Sequence, residues 1–225
     1  CIRDRDGFIM KTYDVIIFDL DGTLSDSGEG ITKSAQYALS KFGINKEPDD
    51  LKHFVGPPLK EEFKNAYNFS DEDAAKAVEY YRERYKPIGI YETSLYKDGD
   101  IMLKRLKNAG KYLAIATSKP QAMAEEVLRY LGIYDYFDKI MGADLIGPRQ
   151  SKQSVLEALF EKIENKDRSK YIMIGDTKFD IIGANLMKID SLGVSYGYGN
   201  KKEMLELGAL KVLDSTKEIA DFLLN

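Results

Sequence analysis

Histidine and cysteine occur once each in the 225 residues, at His53 and Cys1, and tryptophan is absent. One cysteine excludes a disulfide within the chain, and the two residues together cannot build a Cys/His zinc site. A Ser-His-Asp triad or a phosphohistidine mechanism would have to run through His53. A thiolate nucleophile would have to be the first residue, a poor place for a preorganised site. Chemistry is therefore left to carboxylates, hydroxyls, lysines and a hard metal ion. Excess charge is also lacking: 33 Lys and Arg against 37 Asp and Glu leave −4, which is no footprint of a nucleic-acid-binding protein. No apolar run approaches the roughly 18 residues of a membrane-spanning helix. Residues 1–9 (CIRDRDGFI) lack the apolar segment of a signal peptide. Met10 directly precedes a strand pattern, so 1–9 reads as a non-native leader to a cytoplasmic protein, by default a monomer or weak dimer.

What is present reads as one large domain, or a core with a smaller companion. Short apolar runs with strand character fall at 13–18 (YDVIIF), 112–116 (YLAIA), 139–141 (KIM), 171–174 (YIMI), 191–194 (SLGV) and 210–213 (LKVL). Helical patterns lie between the later ones, at 101–108, 121–131, 152–163, 179–186 and 202–207, and Ser215 with Glu218 opens a last helix to Leu224. Strands alternating with helices imply βαβ units in a parallel sheet covered on both faces. The expected fold class is α/β, a doubly wound Rossmann-like parallel sheet.

Residues 27–94 break this rhythm. Ile31, Ala35, Ala38, Leu39 and Phe42 recur at helical spacing and Gly43 offers a stop. Leu59, Phe63, Ala66 and Tyr67 suggest a second helix, and Ser70 to Asp73 starts a third that runs through Tyr85. No strand pattern appears. An all-helical unit over 27–94 is therefore inserted into a core formed by 10–26 and 95–225.

The chemistry starts at 18–26, FDLDGTLSD. An apolar strand runs into Asp19 and Asp21, and alternation places both on one side. Gly22 permits a tight turn and close approach of backbone to a ligand. Two carboxylates this close repel unless a cation or proton sits between them, and Mg²⁺ favours few carboxylates plus a substrate phosphate. An ordinary turn is the alternative, since Asp and Gly are turn residues. Two further strands end in polar groups: 112–116 in Thr117 and Ser118, and 171–174 in Gly175 and Asp176. Asp180 follows Asp176 by one helical turn, where its acidity also suits the helix dipole.

Lys152 stands at a helix start, against the macrodipole, and such breaches mark candidates for function. Lys119 competes with it for the role of phosphate ligand. Lys60, beyond the Gly56-Pro57-Pro58 loop, is placed to reach a substrate anion, although a solvated lysine explains it equally well. His53 reads as a surface or packing residue. The loop 196–200 (YGYGN) fits no nucleotide-binding spacing and reads as a flexible turn near the rim.

Asp19-Leu20-Asp21-Gly22-Thr23, Thr117-Ser118, Lys152 and Gly175-Asp176 with Asp180 resemble, in order, the four motifs of the haloacid dehalogenase-like hydrolases. The likeness covers the chain after Met10. Residues 18–31 and 54–59 look most like the phosphoglycolate phosphatase-like and 5′-nucleotidase-like branch, and the helical insertion resembles that family's small cap. The resemblance implies a Mg²⁺-dependent phosphatase acting on a small phosphorylated metabolite. Asp19 would be the nucleophile and Asp21 the acid and base, with Thr117 and Lys152 holding the phosphoryl oxygens. Asp19, Asp21, Asp176 and Asp180 would hold the metal, and Gly22, Ser118, Lys119 and Lys60 would contact substrate. A phosphomutase or a phosphometabolite-binding regulator are the alternatives. Asp21 argues for phosphate chemistry, because the family's dehalogenases usually lack that second aspartate.

Overall fold

The computed structural model describes residues 11–164 and 167–224. The expected leader at 1–9 and the start at Met10 lie outside the described residues. Strand β1 (Val15–Phe18) is buried along its whole length, as a strand covered on both faces must be. Its side chains alternate. Ile16 and Phe18 join one apolar cluster with Met102, Leu106, Val127 and Ile219. Val15 and Ile17 join the other with Val155, Leu159 and Ala184. Burying each such side chain contributes about 1.5–3 kcal/mol, and a charge at any of them would strand it in a dry layer.

β2 (Ser25–Asp26) and β3 (Ser94–Leu95) form a separate two-stranded antiparallel ribbon. β1 lies between β4 (Tyr112–Pro120) and β6 (Tyr171–Gly175), with Phe18 in register with Ile115 and Ile174. β5 (Lys139–Ala143) extends one side, and β7 (Asp190–Val194) with β8 (Val212–Leu213) the other. The resulting parallel order is β5-β4-β1-β6-β7-β8. The chain reverses its direction of travel across the sheet at β1, and ligands of open α/β sheets bind beyond the carboxyl ends at that switch point. The doubly wound Rossmann-like core expected from the sequence is the fold observed.

Between β2 and β3 run α1 (Gly28–Ser40), a 3₁₀ helix (Pro48–Phe54), α2 (Leu59–Tyr67) and α3 (Asp71–Tyr85). Ile31 and Ala35 of α1 share an apolar cluster with Ala77 and Tyr81 of α3. Ser70 caps α3, accepting from the backbone N–H of Asp73 at 3.0 Å. Two details depart from the sequence expectation. Ser94 belongs to a strand, although 27–94 shows no strand pattern, because two residues are too few to display a period. β4 also runs past 116 to Pro120. Its pairing with β5 is regular to Ala116↔Met141 and resumes at Pro120↔Ala143, so four steps on β4 face two on β5. The surplus chain is an irregularity of the β-bulge kind, which re-aims side chains, and it carries Thr117, Ser118 and Lys119.

Among the described residues the remaining α-helices are α4 (Gly99–Asn108), α5 (Gln121–Tyr130), α6 (Lys152–Lys162), α7 (Lys178–Met187), α8 (Lys201–Glu206) and α9 (Thr216–Leu224).

Candidate active site

Strand ends deliver the carboxylates. Asp19 is the first residue beyond β1, and its N–H donates to the Ile174 carbonyl of β6 at 2.9 Å. Asp176 is the first beyond β6. Asp180 sits in the first turn of α7, and its Oδ2 accepts from the Thr177 N–H and Oγ1, both at 3.0 Å. Asp19, Asp176 and Asp180 are buried, and one oxygen of each lies within 4.8 Å of those of the others.

Lys152, also buried, reaches this cluster from the first position of α6. Its Nζ lies 2.9 Å from Asp19 Oδ1 and 2.8 Å from Asp180 Oδ1, and it donates to the Ala116 carbonyl at 2.9 Å. The two ion pairs are close but poorly directed, so both Oδ1 atoms remain without an aligned hydrogen bond. Gly183 on α7 gives the lysine stem its passage, since an added Cβ would stand 2.8 Å from Lys152 Cγ.

The Asp176 carboxylate is clasped on both oxygens. Thr23 Oγ1 donates to Oδ1 at 3.2 Å and the Tyr198 N–H donates to Oδ2 at 2.8 Å. Gly22, at φ +82°, adopts a left-handed conformation against this group, and an added Cβ would overlap the carboxylate.

Asp21 stands apart from the three and pairs with Lys119. Lys119 Nζ donates to its Oδ2 at 2.8 Å and Oδ1 at 3.1 Å, and to Tyr85 Oη at 2.7 Å. Thr117 is buried, and its Oγ1 accepts from the Lys119 N–H at 3.2 Å. Ser118 is half-buried beside it.

The charges decide what this cluster tolerates. Three carboxylates against one ammonium leave two uncompensated negative charges if all are ionised, which a buried site does not support. Burial accordingly pushes Asp19 up to about 6, opposed by Lys152 and reinforced by Asp180. Burial, then Asp180 and Asp19, push Asp176 well above the carboxylate range. Burial alone would lower the Lys152 ammonium, but Asp180 and Asp19 outweigh it and the net shift is upward. An all-oxygen donor set with a surplus of two negative charges and unaligned buried oxygens fits a hard divalent cation.

A family model described as haloacid dehalogenase-like hydrolase matches residues 16–194. The chain is a haloacid dehalogenase-like hydrolase. A 5′-nucleotidase of Pseudomonas aeruginosa is 40% identical over 194 residues, which is 85% of this chain and 87% of that protein. A phosphoglycolate phosphatase of Colwellia psychrerythraea is 31% identical over 93% of this chain and 96% of its own length. The crystal structure of a predicted phosphatase from Clostridium acetobutylicum superposes with a TM-score of 0.91 at 40% identity, covering 95% of this hydrolase and 99% of that chain.

Not every candidate joins the cluster. Lys60 of the hydrolase ion-pairs with Asp71 at 3.3 Å, its side chain 47% exposed. His53 Nδ1 is 2.6 Å from Glu62 Oε1 and its ring lies against Phe54, a packing role. A cavity of about 680 Å³ opens at the β2–β3 ribbon, beside Lys33, Lys52, Tyr96 and Tyr196, and touches none of the clustered carboxylates.

The loop 196–200 is more than the rim turn read from its spacing. Tyr196 Oη donates to the Thr23 carbonyl at 3.0 Å, while Tyr198 Oη donates to Asp26 and accepts from the Gly28 N–H at 2.9 Å. Gly197 and Gly199 lie so close to Asp176 that a Cβ on either would overlap it. The signal was the glycines, which mark backbone in contact with something; what they touch is a matter of tertiary structure. Thr23 and Tyr85 were also missed as site residues.

Proposed function

We propose that this hydrolase is a Mg²⁺-dependent phosphatase for small phosphomonoesters, phosphoglycolate or a nucleoside monophosphate, working through an aspartyl-phosphate on Asp19. The observation that carries the reading is the buried triad Asp19, Asp176 and Asp180 with Lys152 between two of its members. Asp19, Asp176 and the Asp21 carbonyl would hold Mg²⁺, with Asp180 in support. When bound, the ion offsets the carboxylate charge and the charge of the phosphate.

Asp19 attacks phosphorus as the ester oxygen leaves, and Asp21 supplies the proton to that oxygen. Asp21 then takes a proton from water as water displaces Asp19 from phosphorus. Lys152 and the Thr117 hydroxyl hold the transferring phosphoryl oxygens, which is most of what phosphoryl transfer asks of a protein. Lys152 also keeps Asp19 ionised, and so nucleophilic, in a dry site.

The helical unit over 27–94 serves as a cap that excludes water and contributes to substrate choice. Its Gly56 stands against Thr177 of the core, with room for an added Cβ only 3.1 Å from Thr177 Cγ2. The names of the two relatives support the two substrate classes, since one is a 5′-nucleotidase and the other a phosphoglycolate phosphatase.

The test is phosphate release from a panel of phosphomonoesters with Mg²⁺ and with EDTA, beside Asp19→Asn. Release that needs the metal and vanishes in the variant is the expected result, and the ranking selects the substrate. Folded protein with bound Mg²⁺ that releases no phosphate from any member overturns the reading.

A further inference from the structure

α1 opens the helical unit, yet its first turn is capped from the core. The N–H of Gly28, its first residue, donates to the Tyr198 hydroxyl at 2.9 Å, across 170 positions of chain. The residue in the usual capping place is idle. Ser27 makes no side-chain bond to the helix, and its Oγ is buried with no hydrogen-bond partner among the described residues. The N–H of Gly30 donates to the Glu92 carbonyl at 3.3 Å, which belongs to the helical unit itself. Tyr198 Oη also donates to Asp26 of β2, just ahead of α1. A hydroxyl that donates to a carboxylate is a better acceptor, so Asp26 makes Tyr198 Oη a stronger partner for the positive end of the helix. The approach is close: a Cβ on Gly28 would stand 2.2 Å from Tyr198 Oη. The second connection meets the same loop. Tyr96, directly after β3, puts its ring 4.6 Å from that of Tyr196, and its N–H donates to the Leu24 carbonyl at 3.0 Å.

We infer that Tyr198 is a positioning residue: its hydroxyl takes the place of the idle Ser27 as the cap of α1 and thereby seats the helical unit on the core. The unit is inserted between β2 and β3, so two short connections carry it. Rotation about them changes the angle between β2 and α1, and the bond from Gly28 to Tyr198 depends on that angle. In the seated arrangement the unit lies over the site, with Gly56 against Thr177 and Tyr85 Oη accepting from Lys119. The unpaired Ser27 Oγ fits this account. A helix free of the core would use that serine as its own cap, whereas α1 leaves it buried and unused while Tyr198 serves instead. The cavity of about 680 Å³ is lined by Asp26, Gly28, Tyr96 and Tyr198 among others, so the connections have space beside them in which to move.

This inference rests on the reading of the helical unit as a cap over the active site, and the experiment separates the two. Tyr198→Phe keeps the ring and the backbone N–H that Asp176 accepts from. Backbone hydrogen exchange is followed by mass spectrometry on the full chain without substrate, beside steady-state kinetics with p-nitrophenyl phosphate. In the variant, amides of both connections, 24–31 and 92–97, should exchange about tenfold faster, the size of one hydrogen bond. Those of α3 and β1 should keep their rates, as a regional opening requires. KM should rise by more than kcat falls, since substrate must recover a less populated seated state. Asp26→Ala should act in the same direction, and the double variant should exchange no faster than the quicker single one, because both changes break one chain of bonds. Faster exchange at 24–31 alone would reduce Tyr198 to a local helix cap. That result, equal acceleration throughout the chain, unchanged exchange, or additive effects in the double variant would each overturn the inference. The kinetics tell which claim has failed. If both connections respond while KM and kcat stay put or move together, the seat stands and the reading of the unit as a cap falls.

Discussion

Asp176 shows how one buried carboxylate can oppose the stability of the fold it serves. It is fully buried, its oxygens are occupied by Thr23 and Tyr198, and two more carboxylates share its surroundings. Asparagine fits the same slot: its oxygen accepts from the Tyr198 N–H and its amide donates to Thr23 Oγ1. Asp176→Asn should therefore raise the melting temperature of the metal-free protein, by about 2–4 °C for each kcal/mol of repulsion relieved, while reducing the further rise expected on adding Mg²⁺. Calorimetry in EDTA and in Mg²⁺ checks both halves, and a variant that melts lower without metal contradicts the charge argument. Gly22 tells the opposite story. Its φ of +82° and its contact with Asp176 leave no room for a side chain, so Gly22→Ala should lose both stability and phosphate release. The need for glycine was legible in D-x-D-G, but its neighbour was not, because Asp176 is 154 positions away in the chain.

At the scale of elements, the site is made where strands stop and helices start. Lys152 is held at an unfavourable place for a cation, the first turn of α6, and the capping of that helix keeps it there. Ser151 Oγ accepts from the Ser154 N–H at 3.1 Å, and Ser154 Oγ accepts from the Ser151 N–H at 3.1 Å. Ser151→Ala should cost about 1 kcal/mol and lower the melting temperature by about 2–4 °C; a change near zero in thermal unfolding would show that Lys152 and its carboxylates anchor α6 unaided. The six sheet strands and the long helices were readable, because buried strands show as β-branched apolar runs and amphipathic helices as a repeating face. The two-residue ribbon strands and the surplus chain in β4 were not. Neither has a period, and the displacement of Thr117 to Lys119 exists only relative to β5.

Across the whole molecule, burial of like charges ties folding to pH. The Asp19 carboxyl stands at about 6 in the folded protein against 3.8 when free, chiefly because it is buried. Between those values the folded state binds more protons than the unfolded one, so stability falls as pH rises through the interval and stays low above it. For Asp19 alone the difference is on the order of 3 kcal/mol. The metal-free protein should thus melt higher near pH 5 than at pH 7.5, and Mg²⁺ should raise the melting temperature more at pH 7.5, where protons compete less for the Asp19 carboxylate. A melting temperature in EDTA that rises from pH 5 to 7.5 would refute this.

The division of information follows from range. Motif residues next to strand ends, the apolar periods and the scarcity of His and Cys are local or compositional, and they were sufficient to read a doubly wound core and a carboxylate-and-lysine site. Which lysine meets which carboxylate was not readable. Lys152 pairs with Asp19 and Asp180, whereas Lys119 pairs with Asp21 and Tyr85. Lys60 turns to Asp71. Those partnerships depend on the order of strands in the sheet, on the irregularity that re-aims β4, and on how the inserted helices seat against the core. All are contacts between residues far apart in the chain, and they arise only when the sheet assembles.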